Sequence, residues 1–365
     1  MSETAAKHTY PCDGCGASLT FEPGTTSLTC DYCGNAQTIG ADAGKTTVEE
    51  YDFSAGIAKA QRQKSSDLVQ GGKEVACNSC GARTVFEEEA GECPYCDSPV
   101  VLAQETGEDV LVPESLLPFK VTQREAADEF QSWVSSRWFA PSDLAKKAMG
   151  EAINGVYMPY WSYDSQTTTN YSGERGEHYY ETETYTDSEG NEQTREVQKT
   201  RWHAASGVVQ VTFDDVLIYA TKSLPRNLVQ SLEPWDLAEL RPYDPAFLSG
   251  MGAERYSIDI EVGFSLAEGR MRPRIHSACE TDIGGDEQRV HSMAIRHDDV
   301  TFKHFLLPLW ISSFRYEEEV YRFLVNARTG EVSGERPYSV IKIVLFVLFI
   351  LALVIGVIAL ASAGK

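Results

Sequence analysis

Apolar and polar positions change rhythm several times along the chain. Val156 to Tyr163 is a nearly continuous apolar run and Val208–Phe213 a second, each reading as a strand. Residues 178–203 alternate polar, aromatic and charged side chains around Asp187-Ser-Glu-Gly-Asn191, the pattern of a hairpin with a polar tip. Phe130, Trp133, Val134 and Trp138 recur at helical spacing behind Thr122-Gln-Arg-Glu125, a capping box that starts a helix. Ile258, Val262 and Leu266 suggest another helix, which Pro273 should end or kink. Leu117-Pro118-Phe119, Met158-Pro159-Tyr160-Trp161 and Leu307-Pro308-Leu309-Trp310 share a motif, each expected to start a strand at its proline, where a missing N–H costs least. A second hairpin is expected from Trp310–Phe314 and Val320–Asn326, with the Arg328-Thr329-Gly330 turn leading into Glu331–Ser333.

The last pattern is of another kind. Ile343 to Ala361 contains no polar side chain. As a helix it would be roughly 28 Å long, close to the hydrocarbon thickness of a bilayer. A core helix of a soluble domain carries polar positions every turn, so a membrane span through 343–361 is the expectation. Met1–Tyr10 holds no apolar stretch and predicts no secretory signal. Arg328, Arg336 and Lys342 precede the span and Lys365 follows it, which agrees with a single-pass tail anchor whose N-terminal domains are cytoplasmic.

Cysteine spacing supplies the candidate chemistry. Eight of nine cysteines form four C-x-x-C pairs: Cys12/Cys15, Cys30/Cys33, Cys77/Cys80 and Cys93/Cys96. They group into two units that repeat each other, Cys-Asp-Gly-Cys-Gly-Ala at 12–17 matching Cys-Asn-Ser-Cys-Gly-Ala at 77–82. Two residues between cysteines make a tight turn that aims both sulfurs at one ion, and two such turns complete a tetrahedron. Gly16, Gly34 and Gly81 suit the positive φ that follows; Asp97 takes that place in the fourth knuckle. Two structural Zn2+ ions are expected, one per unit. Four thiolates would also accept iron, although the short loops and the repeat favour zinc. Disulfides would need an oxidising compartment, and a dithiol redox site is normally one C-x-x-C in a βαβ setting. Cys279, outside any motif, reads as a packing thiol.

Charge limits the partners. The 365 residues hold 54 acidic against 32 basic side chains, a net charge of −22. Both ribbons share the bias: residues 1–40 set Lys7 against Glu3, Asp13, Glu22 and Asp31, and 74–103 set Arg83 against six carboxylates. Phosphate binding is therefore disfavoured and protein partners are expected. A membrane-tethered nucleic-acid-binding regulator, the alternative, needs a basic face assembled from distant residues. Gly40-Ala-Asp-Ala-Gly44-Lys45-Thr46 has one residue too few between its glycines for a phosphate-binding loop. The seven histidines form no metal or catalytic pair, and no nucleophile elbow or dinucleotide fingerprint occurs, so no enzymatic activity is expected. Arg270, Arg272 and Arg274 read as a solvated helix end, and the acidic stretch 172–200 as solvated surface.

The expected organisation is two small zinc ribbons (β) plus an α+β, mainly antiparallel domain and one C-terminal transmembrane helix: ribbon 1 at 1–40, a linker with a short helix at 41–73, ribbon 2 at 74–104, the α+β domain at 105–338 and the anchor at 339–365. The two ribbons, Leu117-Pro-Phe-Lys120, Gly155-Val-Tyr-Met-Pro-Tyr-Trp161, Leu307-Pro-Leu-Trp310 and the terminal span together resemble a bacterial family of TFIIB-type zinc-ribbon-containing membrane proteins. Some members carry a primosomal-helicase label, which fits poorly with acidic ribbons and no phosphate loop. The resemblance implies that the eight paired cysteines are zinc ligands. It also implies an adaptor role beside SPFH/flotillin-like or phage-shock-type membrane proteins, which members of the family are often encoded next to.

Overall fold

The structure, a computed structural model, describes residues 10–40, 50–60, 73–76, 83–86, 90–92, 99–101, 111, 113–144, 153–186, 188, 190–317 and 319–363. It begins with a three-stranded ribbon, β1 (Thr20–Phe21), β2 (Ser27–Thr29) and β3 (Ala36–Thr38). Strand β4 (Tyr51–Asp52) and helix α1 (Phe53–Ala60) follow, then two small antiparallel hairpins, β5 (Lys73–Ala76) with β6 (Arg83–Phe86) and β7 (Ala90–Glu92) with β8 (Pro99–Val101). After β9 (Ser115–Leu116) and α2 (Gln123–Ser135) come β10 (Asn154–Thr186) and β11 (Glu192–Tyr219), both very long. The chain continues through α3 (Arg226–Gln230), β12 (Arg241–Pro242), β13 (Gly252–Ala253) and α4 (Ile260–Ile283). It ends with β14 (Glu287–Tyr316), β15 (Glu319–Asn326), β16 (Val332–Gly334) and α5 (Val340–Ala363).

The main sheet runs β11-β10-β14-β15-β16, antiparallel throughout, with β4, β9 and β13 pairing at its edges and β12 on β9. At ~3.3 Å per residue, β10 alone spans about 110 Å. Three packing regimes succeed one another along it. Val156–Tyr163 is buried on both faces, which is why that stretch is apolar without alternation. One face holds Tyr157, Trp310, Phe314 and Phe323 against α2 and the first ribbon; the other holds Val156, Tyr160, Leu307 and Leu309 against Leu228, Leu232 and Trp235. From Ser165 to Gly173 only odd positions are buried, because α4 covers one face while Gln166, Asn170 and Ser172 of the other stand in solvent. Beyond Gly176, where pairing with β14 stops at Glu287, the β10–β11 hairpin continues as a two-stranded ribbon with both faces open.

Several expectations need correction. The hairpin expected at 178–203 forms, with its tip between Thr186 and Glu192, but as the far part of two much longer strands, because β10 does not end at Tyr163. Pro159 and Pro308 lie inside long strands, not at strand starts. Their carbonyls accept from Ala220 and Ala327, just past the ends of β11 and β15, so each missing N–H falls on the side where the neighbouring strand has run out, while both prolines stay paired across the β10–β14 ladder. Helix α4 does not end at Pro273 but continues ten residues beyond it, to Ile283. Its buried stripe is Ile260, Gly263, Ala267, Met271, Ile275, Cys279 and Ile283, whereas Val262 is exposed. Packing along that stripe outweighs the one lost hydrogen bond. Arg270 is therefore mid-helix, paired with Glu233 at 2.9 Å and with the Leu217 carbonyl, and Arg274 lies over Phe213. The capping box at Thr122 and Glu125 forms, and Phe130 and Val134 are buried, but α2 stops at Ser135 and leaves Trp138 outside it. The short helix α1 is docked, not free: β4 pairs with β14, Phe53 packs on Tyr163 and Phe264, and Gly56 leaves no room for a Cβ beside Phe302. The phosphate-loop-like residues 41–46 lie outside the described residues.

Candidate metal centre

The first ribbon is two hairpin knuckles set face to face. A bridge between Pro11 and Ser18 closes the first around Cys12 and Cys15, and β2 with β3 closes the second around Cys30 and Cys33. Each turn is completed in the same way: Gly16 N–H donates to Cys12 O at 2.8 Å and Gly34 N–H to Cys30 O at 2.9 Å. Both glycines take positive φ, 75° and 72°, as their place after the second cysteine predicts.

These turns bring all four sulfurs within 4.8 Å of one another. Cys12 Sγ is 3.4 Å from Cys33 Sγ, and Cys15 Sγ is 3.5 Å from Cys30 Sγ. A disulfide needs about 2.05 Å, whereas a tetrahedron with ~2.3 Å arms has edges of about 3.8 Å, so the set fits one zinc ion. The sulfurs also have donors of their own: Gly14 N–H at 3.4 Å and Asn35 Nδ2 at 3.7 Å both point at Cys12 Sγ. Burial would raise the Cys12 thiol. The amides of Gly14 and Cys15, with Cys33 and Asn35, outweigh it and bring the thiol down to about 6. Cys30 is lowered as well, whereas hydrogen bonds among the sulfurs raise Cys15 and Cys33, so two thiols are readied for zinc and the ion would have to displace the protons of the other two. Because all four ligands come from the protein, no coordination position is open to substrate, and the ion would shape the ribbon without reacting.

The ribbon is fastened to the main domain. Leu19, Phe21 and Leu28 are buried in the core shared with α2 and the sheet. Phe21 N–H donates to Ser249 O, Ser249 Oγ to Leu19 O, and Gly24 N–H to Phe119 O, at 2.7–3.0 Å. The Phe21 and Phe247 rings meet edge to face at 5.3 Å. A metal bound by these cysteines would thereby be coupled to domain packing.

Of the second unit, Cys77, Cys80, Cys93 and Cys96 lie outside the described residues. As in the first unit, antiparallel pairing flanks each C-x-x-C, but here it forms two separate two-stranded hairpins where the first unit has a single bridge and a three-stranded sheet. The hairpin of β5 and β6 brackets Cys77 and Cys80, and that of β7 and β8 brackets Cys93 and Cys96. Cys279 is fully buried in α4, and burial raises its thiol, as suits a packing residue.

Sequence reasoning missed one cluster. At a single level of the sheet all three long strands depart from regular pairing. The β10 ladder shifts at Asp164 against both neighbours, and Asp215 and Asp299 take positive φ, 51° and 49°. Carboxylate oxygens of Asp164, Asp214 and Asp215 come within 4.8 Å. A cation already answers them: Lys303, with its side chain 11% exposed, reaches Asp215 at 2.8 Å and Glu50 at 3.0 Å. Burial works against its charge, but Asp215 and Glu50 prevail and push the ammonium up to about 12. Thr301 Oγ1 and the Asp215 amide donate to Asp164. The cluster is an internal latch. The visible signal for it was aspartate inside strand patterns, at Asp164, Asp214-Asp215 and Asp298-Asp299, where side chains that tolerate left-handed backbone favour bulges.

At the other end of the chain, α5 is about 36 Å long. It is long and apolar enough to cross a membrane, and no residue of Val340–Val357 is buried.

Comparison with known proteins gives one distant likeness. The chain is similar to an uncharacterized protein, YdjG, of Bacillus subtilis (strain 168), with 26% identity over 332 residues, 90% of each chain. No family model matches, and no solved structure matches significantly.

Proposed function

We propose that this protein is a tail-anchored scaffold that holds protein partners at the cytoplasmic face of the membrane. Two zinc ions, one in each ribbon, keep its ribbons folded and take no part in catalysis. The observation that carries the reading is the layout of the main sheet. The Tyr316–Glu319 turn lines the same cleft, about 650 Å³, as Pro337–Ile341 at the head of α5. The β10–β11 tip lies at the opposite end of the sheet. A membrane-anchored α5 would thus leave a ribbon reaching roughly 100 Å along the strands from the bilayer. Among the described residues its edge strand β11 has no partner on its outer side, and past Gly176 the β10 edge has none either. Free edges and open faces offer a partner main-chain hydrogen bonds and alternating side chains.

The acidic character of the ribbons supports a protein over a nucleic acid as partner. SPFH/flotillin-like or phage-shock-type membrane proteins are the partners the family resemblance implies. The test is a detergent pull-down of the intact protein from native membranes, with and without nuclease, beside variants lacking either Cys77 and Cys80 (both to Ser) or the ribbon tip. The expected result is a near-stoichiometric protein that survives nuclease and is lost in one of the two variants. Co-purifying DNA or RNA, or partners that vanish with nuclease, would refute the reading in favour of a nucleic-acid-binding regulator.

A further inference from the structure

The head of α5 is not a free tether. Ser339 N–H donates to Phe139 O at 2.7 Å, and Lys342 Nζ donates to Ala140 O at 2.7 Å. Trp138 stacks on Phe139 at 6.0 Å, and both rings meet Phe346 edge to face, at 5.8 and 5.4 Å. Trp138 is nevertheless 71% exposed, so the largest apolar side chain of this segment stands in the open beside the helix. Tyr338, 59% exposed, lies under the Arg336 guanidinium at 5.2 Å, and Arg137 covers Trp133 at 4.7 Å. A collar of the exposed rings Trp138 and Tyr338, with half-buried Phe139 and the cations Arg336 and Lys342, therefore stands beside the first turns of α5.

We propose that this collar is a second membrane contact: Trp138, with Phe139 and Tyr338 beside it, seats in the headgroup region of the bilayer that α5 enters. The inference rests on the proposed membrane anchoring of α5. Depth makes the argument. Lys342 is the last charged residue before the apolar run, and Phe346 is four residues further, about 6 Å along the helix axis. A bilayer that accepts the helix up to Lys342 covers Phe346, and a ring in contact with Phe346 is covered with it.

The chemistry of the collar matches that zone. Tryptophan and tyrosine are amphipathic rings that favour the membrane interface, and arginine and lysine there meet lipid phosphates. The consequence is mechanical. With two hydrogen bonds and three rings fixing α5 to the 137–140 segment, the domain sits at a set tilt on the membrane and does not swing on a linker.

The test uses the full chain reconstituted into phosphatidylcholine vesicles whose acyl chains are brominated near the headgroup. The chain holds six tryptophans. Wild type should lose one tryptophan's share of its emission relative to unbrominated vesicles, and Trp138→Phe should abolish that loss while still floating with the vesicles. Circular dichroism checks that the variant keeps its fold, as expected for so exposed a side chain. If wild type floats and resists alkaline extraction but shows no loss dependent on Trp138, the collar is overturned and the anchor reading stands. A second copy of the chain covering the patch would give that same unquenched result. If the wild type does not float at all, the anchor reading fails and the collar with it.

Discussion

Two glycines of α4 stand six residues apart in one helix and make opposite predictions for the same substitution. Gly263 faces the sheet. A Cβ there would overlap the Tyr163 hydroxyl and stand 3.0 Å from Trp161 Cδ1. Neither ring can yield freely, because Tyr163 donates to Ile260 O at 2.7 Å and Trp161 Nε1 to Ile258 O at 2.9 Å. Gly269 is exposed, with nothing within 4 Å of a Cβ. Alanine in place of a helical glycine stabilises by about 1 kcal/mol, so Gly269→Ala should gain about that much. Gly263→Ala makes the same gain and loses ~1–3 kcal/mol to overpacking and about 1 kcal/mol with the Tyr163 hydrogen bond, a net loss of roughly 1–3 kcal/mol. The two variants should differ by about 2–4 kcal/mol, which urea unfolding of the detergent-solubilised chain can resolve by the fluorescence of Trp161 and its neighbours. If the Gly263→Ala midpoint equals or exceeds that of Gly269→Ala, the close approach of α4 to the sheet is wrong.

Two further outcomes are expected. Stripping the metal should release the first ribbon: the amides of Phe21 and Gly24, which donate to Ser249 and Phe119, should lose protection from hydrogen exchange and regain it with Zn2+. Unchanged protection in a sample shown to be metal-free would contradict the coupling. At high pH, burial keeps the phenols of Tyr157, Tyr160, Tyr163 and Tyr219 above their ordinary value of 10.0. Folded values above unfolded ones give a stabilisation that is complete below that value and lost as pH rises past it. Denaturant midpoints should thus fall between pH ~9 and ~11, with phenolate absorbance of these four appearing only on unfolding.

What could be read from the chain alone divides by the distance over which each feature is decided. The first four-cysteine cluster was legible because its geometry is local: two residues between cysteines and a glycine after them specify the turn. Helix α5 was legible because the length of its apolar run, 343–361, and the lack of polar positions within that run need no context. The reach of β10 was not: its far part alternates and reads as a hairpin, but the stretch that joins it to Val156–Tyr163 runs through Thr167-Thr168-Thr169, which reads equally as loop. The continuation of α4 past Pro273 was not legible either, because the proline rule is local and the stripe from Ile260 to Ile283 that holds α4 against the sheet is not. Trp138 was placed on a helix face by its spacing. Its partner Phe346 lies some two hundred residues away, and only the fold joins them.

The aspartate crease across the three long strands bears on how such a sheet finds its partners in the first place. Much of the paired surface is repetitive, with Thr167, Thr168 and Thr169 opposite Val211, Gln210 and Val209. Sliding one strand by two residues would keep every side chain on its proper face and offend little. A bulge cannot slide so cheaply. Asp164 must meet the turned backbone at Asp215 on one side and the break beside Asp299 on the other, with Lys303 beneath them to reward only that alignment. The crease thus serves as an alignment mark: once it closes, the pairing of the whole ribbon out to Thr186 and Glu192 is counted from it, and the offset ladders that would leave ragged, adhesive edges are excluded during folding.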